Sequence, residues 1–243
     1  MQHQQDGHHL VFWHSPLNPP PSREWFSANH WRSLDAISGE SHGRGVTYFI
    51  NFQSHCWVLR HYHRGGMIAH ISDDQYFYSG LKNTRVWREF QLLQQMHQLG
   101  LPVPLPIAGH ICRRGLFYRA DLIIERIANA SDLFQQLQQQ ALSAKQWQQV
   151  GEIIGQFHAA GIYHADLNIH NVLQDNQGRF FLIDFDRGEQ RSPAHQWQND
   201  NLMRLLRSCR KEANRVQKWH WQEDDWQLLM QGYRQSNPDF ANE

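Results

Sequence analysis

One stretch of the chain, residues 163–190, restricts the possible folds more than any other. It reads YHADLNIHNVLQDNQGRFFLIDFDRGEQ and packs histidines, asparagines and aspartates around two short apolar runs. The run FFLID predicts a buried strand that ends at Asp184, and the turn residues DNQG before it predict a hairpin. The two strands of such a hairpin would hold Asn171 and Asp184 side by side, next to the polar segment HADLNIHN.

Residue types alone leave two simpler interpretations of this stretch open. His164, Asp166 and His170 are side chains that bind metals, although their spacing matches no common zinc pattern. Alternatively, Asn and Asp are present because they cap turns, and the stretch is a polar loop and hairpin without chemistry. Residue types do not decide between these interpretations, so the order of the residues has to.

The order and spacing favour a third interpretation, a kinase catalytic loop. His164 precedes Asp166 by two residues, Asn171 follows it by five, and Asp184 ends the next strand. A kinase requires this set: a histidine that braces the loop, an aspartate that accepts the hydroxyl proton, and an asparagine and a second aspartate on Mg²⁺. We therefore predict His164 and Asp166 as catalytic residues. Asn171 and Asp184 are the predicted ligands of the hard cation that accompanies ATP.

The rest of the chain predicts a β-rich first part and a helical second part. Strands are expected at LVFW (10–13), GVTYFINF and CWVLRHY, and a hairpin in GHICRRGLFYRADLIIERI. Helices are expected after the proline run at PPPSREWFSANHWRSL and at NTRVWREFQLLQQMHQLG. In the second part, Ser131 is the predicted N-cap of one helix, and Ser143 with Gln146 predicts a capping box for the next. Two more helices are predicted, roughly at 198–218 and 222–235.

This pattern predicts an α+β, two-lobed protein-kinase-like fold in a single domain. We place an N-terminal nucleotide-binding lobe at residues 1–126 and a C-terminal helical catalytic lobe at 127–243. Lys plus Arg and Asp plus Glu are both 23 in the 243 residues, so no global charge attracts nucleic acid. The three cysteines form no CxxC pair, the N-terminus has no signal-peptide pattern, and no apolar run is long enough to span a membrane. We expect a cytoplasmic protein.

Five segments together resemble a known family: GRGVTYF, LRHYHRGG, LPVPLPIA, YHADLNIHNVL and LIDFDRGE. They are similar to the Kdo kinases of Gram-negative lipopolysaccharide assembly, which are relatives of the core heptose kinases. The resemblance covers roughly residues 39–235. It implies ATP-dependent phosphorylation of the 4-hydroxyl of 3-deoxy-D-manno-octulosonic acid (Kdo) on a lipid A precursor. It also implies work at the cytoplasmic side of the inner membrane as a peripheral protein.

The resemblance also implies a nucleotide site in the first part of the chain. The glycines of GESHGRG would cover the phosphates, although their spacing departs from GxGxxG and an ordinary hairpin turn remains the alternative. Arg60 stands where kinases keep a lysine for the α and β phosphates, and Glu89 is its expected partner. A plain surface arginine and a solvated helix glutamate are the alternatives. The backbone carbonyl of Glu125 and the backbone amide of Ile127 would meet adenine. The glycines concerned are Gly39, Gly43 and Gly45.

Two basic segments are candidates for contact with an acidic, membrane-anchored acceptor. In RHYHRGGMIAHI, Arg64 lies beside Gly65 and Gly66, which permit close backbone approach to an anion, and a β-turn is the alternative. In NLMRLLRSCRKEANRVQKWHW, cations recur every three or four residues and predict one basic helical face for an anionic membrane surface. A solvated face is the alternative there. The cations are Arg204, Arg207, Lys211, Arg215 and Lys218.

Departures from the protein-kinase pattern favour a small acceptor. Asp186 replaces the glycine of DFG, Asn168 stands where many protein kinases carry lysine, and no APE follows. The residues between Asp184 and the next predicted helix are too few for the segment that grips a peptide. A core heptose kinase or a small protein kinase of this fold remains an alternative. So does a nucleotide-binding pseudokinase that serves as a scaffold.

Overall fold

The structure is a computed structural model that describes residues 1–14, 16–43, 45–63 and 74–241. It forms two compact units, one of residues 1–95 and 104–126 and one of residues 96–103 and 127–243. The division after Arg126 falls where we placed the lobe boundary. Residues 96–103 differ from our assignment because they group with the second unit. The backbone N–H of Leu182 donates to the carbonyl of Pro102 at 3.1 Å, which ties this segment to a strand of the second unit.

The first unit is built on an antiparallel sheet. Its strands are β1 (Gln2–Asp6), β2 (His9–Trp13), β3 (Ile37–His42), β4 (Val46–Phe52), β5 (His55–His61), β6 (Tyr76–Phe77), β7 (Pro106–Arg114) and β8 (Phe117–Glu125). The sheet order is β1-β2-β7-β8-β5-β4-β3, with β6 paired to β8. The predicted strand at 10–13, the pair β4–β5 and the hairpin β7–β8 are all present.

Two α-helices accompany this sheet, α1 (Ala28–Ser33) and α2 (Arg85–Gln98). The helix predicted after the prolines is shorter than expected, because Ser27 is extended and separates a 3-10 turn from α1. Burial of Trp25 and Trp31 explains the break, since the Trp31 Nε1–H donates to the carbonyl of Trp25 at 2.6 Å. Both rings pack with Trp57 into the core under the sheet. Helix α2 is as predicted.

The second unit contains four α-helices and two small sheets within the described residues. Strands β9 (Ser131–Asp132), β11 (Val172–Gln174) and β12 (Phe180–Leu182) form one sheet in the order β12-β11-β9. Strands β10 (Ile162–Tyr163) and β13 (Glu189–Gln190) form the other. The helices are α3 (Leu133–Gln139), α4 (Ala144–Ala159), α5 (His195–Ala213) and α6 (Glu223–Ser236).

One predicted helix cap is confirmed, whereas the predicted N-cap of α3 and the predicted bounds of α5 are wrong. The capping box of Ser143 and Gln146 is present at α4. The N-cap of α3 is Asp132, not Ser131, because Ser131 pairs with β11 while the Asp132 carboxylate accepts from the N–H of Gln135 at 2.7 Å. Helix α5 begins before residue 198 and ends at Ala213, well short of residue 218. The Asn214 side chain donates to the carbonyl of Arg210 at that end.

Helices α4 and α6 make an unusually close contact through glycines. A Cβ placed on Gly151 would lie 1.9 Å from the carbonyl oxygen of Leu229, and one on Gly232 would lie 1.9 Å from that of Gln148. Real side chains do not fit at such distances, so the two backbones touch directly. Helix α4 leads through β10 into the polar segment HADLNIHN and thereby sets where that segment starts.

Candidate active site

His164 joins the two halves of the predicted catalytic stretch. It is 2% exposed, its Nδ1 accepts from the backbone N–H of Asp166 at 3.1 Å, and its Nε2 lies 2.9 Å from the carbonyl oxygen of Ile183. An Nδ1 that accepts leaves the proton on Nε2, which therefore donates to Ile183. Burial lowers the pKa of His164, so the ring stays neutral. Both ring nitrogens are engaged with backbone, which removes the metal-site interpretation for this histidine.

The loop that carries Asp166 is tied down through its backbone, while the carboxylate stays accessible. The carbonyl oxygen of Asp166 accepts from Asn168 Nδ2 and from Asn171 Nδ2, both at 2.9 Å. The Asp166 side chain is 54% exposed, and its Oδ1 lies 3.8 Å from Nη1 of Arg204. A fixed backbone with an accessible carboxylate is the arrangement that a proton acceptor needs.

Asn171 and Asp184 sit at adjacent ends of β11 and β12. The backbone N–H of Ile183 donates to the carbonyl of Asn171 at 3.0 Å, next to the paired residues Val172 and Leu182. The Asn171 amide is oriented by its bond to Asp166, and Oδ1 is its remaining acceptor. Asp184 adopts a left-handed backbone conformation with φ of 62°. An amide oxygen and a carboxylate side by side fit a hard divalent cation.

These side chains open into one groove of the second unit. The groove has a volume of about 460 Å³, within the size range of small-molecule sites. Asp186 is not among its lining residues, so the groove distinguishes Asp184 from the neighbouring acid. The groove is lined by Asp166, Asn168, His170, Asn171 and Asp184 and by Arg204, Arg207, Ser208, Lys211, Glu212 and Arg215.

Helix α5 holds the loop that carries Asp166 through two hydrogen bonds. Asn201 Oδ1 accepts from the backbone N–H of His164, and Ser208 Oγ accepts from that of Ile169, both at 3.1 Å. Neither residue is among those predicted from the sequence. Their spacing of seven places them on one helical face with Arg204 and is the signal that would have found them.

The basic residues of α5 do not form the single face of five cations that the sequence predicted. Arg204, Arg207 and Lys211 share one side of the helix, but Arg215 and Lys218 follow its end. Four of the five nevertheless line the groove with Asp166, and Lys218 does not. Their position favours the acceptor role over the membrane role. Arg64, Gly65 and Gly66 lie outside the described residues.

The predicted pair of Arg60 and Glu89 is present in the first unit. Arg60 Nη2 donates to Glu89 Oε1, and Tyr62 OH donates to Glu89 Oε2 at 2.5 Å. Glu89 is only 2% exposed, whereas the Arg60 side chain is 20% exposed. Burial raises the pKa of Tyr62 well above its usual value, which keeps the phenol as a donor to Glu89. The role of the pair toward ATP stays a prediction.

The remaining nucleotide-site candidates occupy strand ends and turns. Gly39 lies in β3, and the N–H of Gly43 donates to the carbonyl of Gly45 at 3.0 Å in the turn that leads to β4. A Cβ on Gly45 would lie 2.2 Å from the ring of His63, so glycine permits that close approach. Glu125 ends β8, and Ile127 is the first residue of the second unit after Arg126. Their contact with adenine stays a prediction.

The segment that follows Asp184 is short and is held by packing and strand pairing. Phe185 is fully buried against His164, with ring centroids 4.7 Å apart. Helix α5 already begins at His195, and between them β13 pairs with β10 through Tyr163 and Glu189. No helix in the described part of the chain is both long and apolar enough to cross a membrane.

Comparison with known proteins gives a consistent result. The family described as "Lipopolysaccharide kinase (Kdo/WaaP) family" matches residues 28–233. Similar curated proteins are each named 3-deoxy-D-manno-octulosonic acid kinase. One from Vibrio parahaemolyticus is 39% identical over 229 residues, covering 94% of this chain and 95% of its own. Those from Mannheimia succiniciproducens (41% identical over 242 residues) and Haemophilus influenzae (40% over 243 residues) each cover 96% of this chain and 99% of their own.

Proposed function

The chain belongs to the lipopolysaccharide kinase (Kdo/WaaP) family, and we propose that it phosphorylates the 4-hydroxyl of a Kdo sugar on a lipid A precursor. Membership makes it an ATP-dependent kinase with a two-lobed α+β fold. The relatives' shared name supports a Kdo-bearing acceptor, and the 4-hydroxyl rests on the family resemblance. The observation that carries the proposal is the single groove that joins Asp166 to Asn171 and Asp184.

In this proposal each residue of the groove has a defined task. Asp166 positions the acceptor hydroxyl and accepts its proton, while neutral His164 holds the Asp166 backbone against the end of β12. Asn171 Oδ1 and the Asp184 carboxylate would hold Mg²⁺. When bound, the ion neutralises charge that develops on the transferred phosphoryl group. By the family pattern, Arg60, held by Glu89, would order the ATP phosphates together with Gly39, Gly43 and Gly45, and Glu125 and Ile127 would meet adenine.

Two features argue against the alternative functions. A protein acceptor needs an extended platform after the metal-binding aspartate, and here only residues 185–194 separate Asp184 from the start of α5. A pseudokinase scaffold would not require an accessible Asp166 carboxylate, nor Asn171 and Asp184 side by side as candidate metal ligands. A heptose kinase of the same family differs only in its acceptor, so the experiment must include that acceptor.

We also propose peripheral contact with the cytoplasmic side of the inner membrane, since the acceptor is a lipid. A hairpin tip of the first unit supports this: Phe77, Leu116 and Phe117 are 61%, 63% and 46% exposed. Strand pairing holds this tip together, since Phe77 of β6 pairs with Phe117 of β8. The exposed Arg113 and Arg114 flank these apolar side chains. Apolar side chains beside arginines suit an anionic leaflet.

The direct test of the proposed reaction uses the purified chain with ATP, Mg²⁺ and a Kdo-bearing lipid A precursor in detergent. We expect the acceptor to gain the mass of one phosphoryl group, and phosphorus–proton coupling in the product to place it on the 4-hydroxyl. Heptosylated core and casein serve as competing acceptors, and Asp166→Ala serves as the inactive control. Labelling of casein alone, or of heptose in preference to Kdo, would refute the proposal.

A further inference from the structure

The groove-lining cations differ in how they are paired. Arg204 lies 3.8 Å from Asp166, and Arg215 lies 3.1 Å from the buried Glu212. In contrast, neither Arg207 nor Lys211 forms an ion pair with any acid that the structure describes. Both are exposed, so their charges are available to a ligand in the groove.

The same helix pairs an arginine that does not line the groove. Arg210 Nε and Nη2 donate to the two carboxylate oxygens of Glu223 at 2.8 and 2.9 Å. This bidentate pair uses the geometry in which a guanidinium binds a carboxylate best. Arg210 thus has an acidic partner, whereas Arg207 and Lys211 have none among the residues that the structure describes, which suggests that their partner is a ligand.

The positions of Arg207 and Lys211 relative to Asp166 suggest which ligand group they meet. Arg204 already reaches Asp166, where the reacting hydroxyl would lie. Along an α-helix, Arg207 follows Arg204 by about 4.5 Å and Lys211 follows it by about 10.5 Å. A group one sugar ring away from the reacting hydroxyl therefore falls beside Arg207, and Lys211 lies one turn further on.

We propose that Arg207 and Lys211 form a subsite for the carboxylate of the acceptor sugar while its hydroxyl lies against Asp166. This rests on the proposed function, since an octulosonic acid carries a carboxylate on the ring that is phosphorylated. Arginine binds a carboxylate through two parallel N–H···O bonds, and lysine adds a point charge. A neutral sugar would leave both cations without a partner, so the subsite discriminates against neutral acceptors such as heptose.

The test compares Arg207→Gln and Lys211→Gln with Lys218→Gln. Lys218 is an exposed cation of the same segment that does not line the groove, so its substitution makes the same charge change away from the site. For Arg207→Gln we expect KM for the Kdo acceptor to rise by about tenfold or more, with Lys211→Gln smaller and Lys218→Gln unchanged. KM for ATP should stay at the wild-type value in all three. Circular dichroism and thermal melts confirm that each variant is folded.

Two modified acceptors identify the anionic group. One acceptor has its carboxylate converted to the methyl ester. The wild-type KM for this ester should rise by about as much as Arg207→Gln raises the KM for the acid. The KM of Arg207→Gln should rise little further on the ester, as a double-mutant cycle requires. With the lipid phosphates removed and the carboxylate intact, the effect of Arg207→Gln should persist. Loss of the effect on the dephosphorylated acceptor, with the ester behaving like the acid, would overturn the assignment to the carboxylate.

The remaining outcomes separate this inference from the proposed function. A wild type that fails to phosphorylate any Kdo acceptor refutes the proposed function itself. An active wild type whose variants keep a normal acceptor KM refutes only the subsite. A rise in KM for ATP without a rise for the acceptor would assign the two cations to the nucleotide phosphates and would also overturn the inference.

Discussion

At the scale of single residues, Asp184 combines a place in the groove with an uncommon backbone conformation. Its φ of 62° lies in the left-handed region, which aspartate tolerates better than most residues because of its short polar side chain. The residue also follows the Ile183 carbonyl that His164 holds. This bond holds the backbone just before Asp184, whose side chain lines the groove with Asn171.

We expect Asp184→Asn to abolish transfer and to weaken Mg²⁺-dependent ATP binding, because the ion loses an anionic ligand while side-chain size hardly changes. Asp186→Asn is the matched control, since Asp186 does not line the groove. ATP binding measured calorimetrically with and without Mg²⁺ would reveal the difference. An inactive Asp186→Asn beside an active Asp184→Asn would move the metal assignment by two residues.

Asp166→Ala should leave KM for ATP nearly unchanged and lower kcat by ~10² to 10⁴, the usual contribution of positioned proton transfer. The backbone bonds that hold the loop use the Asp166 carbonyl, not its carboxylate, so the loop should survive. Asp200→Ala, which removes an exposed acid of α5, is the control. Steady-state kinetics that retained more than half of the wild-type kcat would remove Asp166 from this role.

The proximity of the four candidate catalytic residues could be predicted from the sequence because their relation is local. His164, Asp166, Asn171 and Asp184 lie within one loop and hairpin, where spacing along the chain determines proximity. Asn201 and Ser208 were missed because they reach the loop from α5, and only tertiary packing brings that helix to it. The Arg60–Glu89 pair was found only through the family pattern.

At the scale of elements, a chain of polar side chains crosses the sheet of the first unit. Asp121 in β8 accepts from His61 of β5 at 2.6 Å and from His110 of β7 at 2.8 Å, and His9 of β2 lies 2.9 Å from His110. Burial is the largest influence on the pKa of His61 and lowers it. The hydrogen bond and charge of Asp121, with the charge of Asp74, outweigh burial and raise the pKa above its usual value.

The raised pKa of His61 makes stability depend on pH. Its contribution is complete below the unfolded-state pKa and is lost as pH rises through the folded-state value. Burial alone would raise the pKa of Asp121, but the two histidine hydrogen bonds lower it, so Asp121 stays charged across this range. We expect His61→Gln to lower the melting temperature most near about pH 6 and least near about pH 9. His97→Gln, which alters an exposed histidine of α2, should show no such trend.

Thermal melts of both variants and the wild type across this pH range provide the measurement. The wild type itself carries other titrating groups, including His9, whose pKa is lowered mainly by burial. The difference between His61→Gln and the wild type removes their shared contribution. A difference that stayed constant, or that grew with pH, would contradict the charged pair.

The contact of α4 with α6 predicts a stability effect at Gly151. A methyl group there meets backbone atoms of Leu229 and Tyr233 at 1.9 and 2.7 Å, and backbone cannot rotate away as a side chain can. We expect Gly151→Ala to lower the free energy of unfolding by about 1–3 kcal/mol, because overpacking outweighs the better helix propensity of alanine. Lys145→Ala at an exposed position of α4 should change it by less than about 0.5 kcal/mol. Denaturant unfolding that showed Gly151→Ala to be more stable than the wild type would mean that the helices separate readily.

The existence of a helix or strand was easier to predict than the residues at which it begins and ends. Alternating apolar residues predicted β4, β5, β7 and β8, and the apolar period predicted α2 and α4. The ends depend on which neighbouring element takes a residue, and the spacing of the sequence does not show this. Ser131 was taken into a strand, which left Asp132 as the cap of α3. Helix α5 ended at Ala213 although the basic period continued to Lys218.

At the scale of the whole molecule, the proposed membrane contact can be separated from the acceptor groove. Replacing Phe77 and Phe117 by serine should reduce sedimentation with vesicles of anionic lipid at low salt, since exposed aromatic side chains and flanking arginines both favour such a surface. KM for an acceptor dissolved in detergent should change little. Leu34→Ser, at another exposed apolar residue (47% exposed), is the control. Unchanged sedimentation of a folded double variant would exclude the hairpin tip as the contact.

The short segment of residues 185–194 also has a consequence for how such an enzyme is regulated in a cell. In protein kinases the corresponding segment is long, and its phosphorylation changes the enzyme between inactive and active forms. Here β13 is fastened to β10, and His164 follows β10 directly along the chain. Residues 185–194 therefore do not form a long segment that phosphorylation could rearrange. We expect the enzyme to be active as soon as it folds, so that the supply of newly made acceptor limits its rate in the cell.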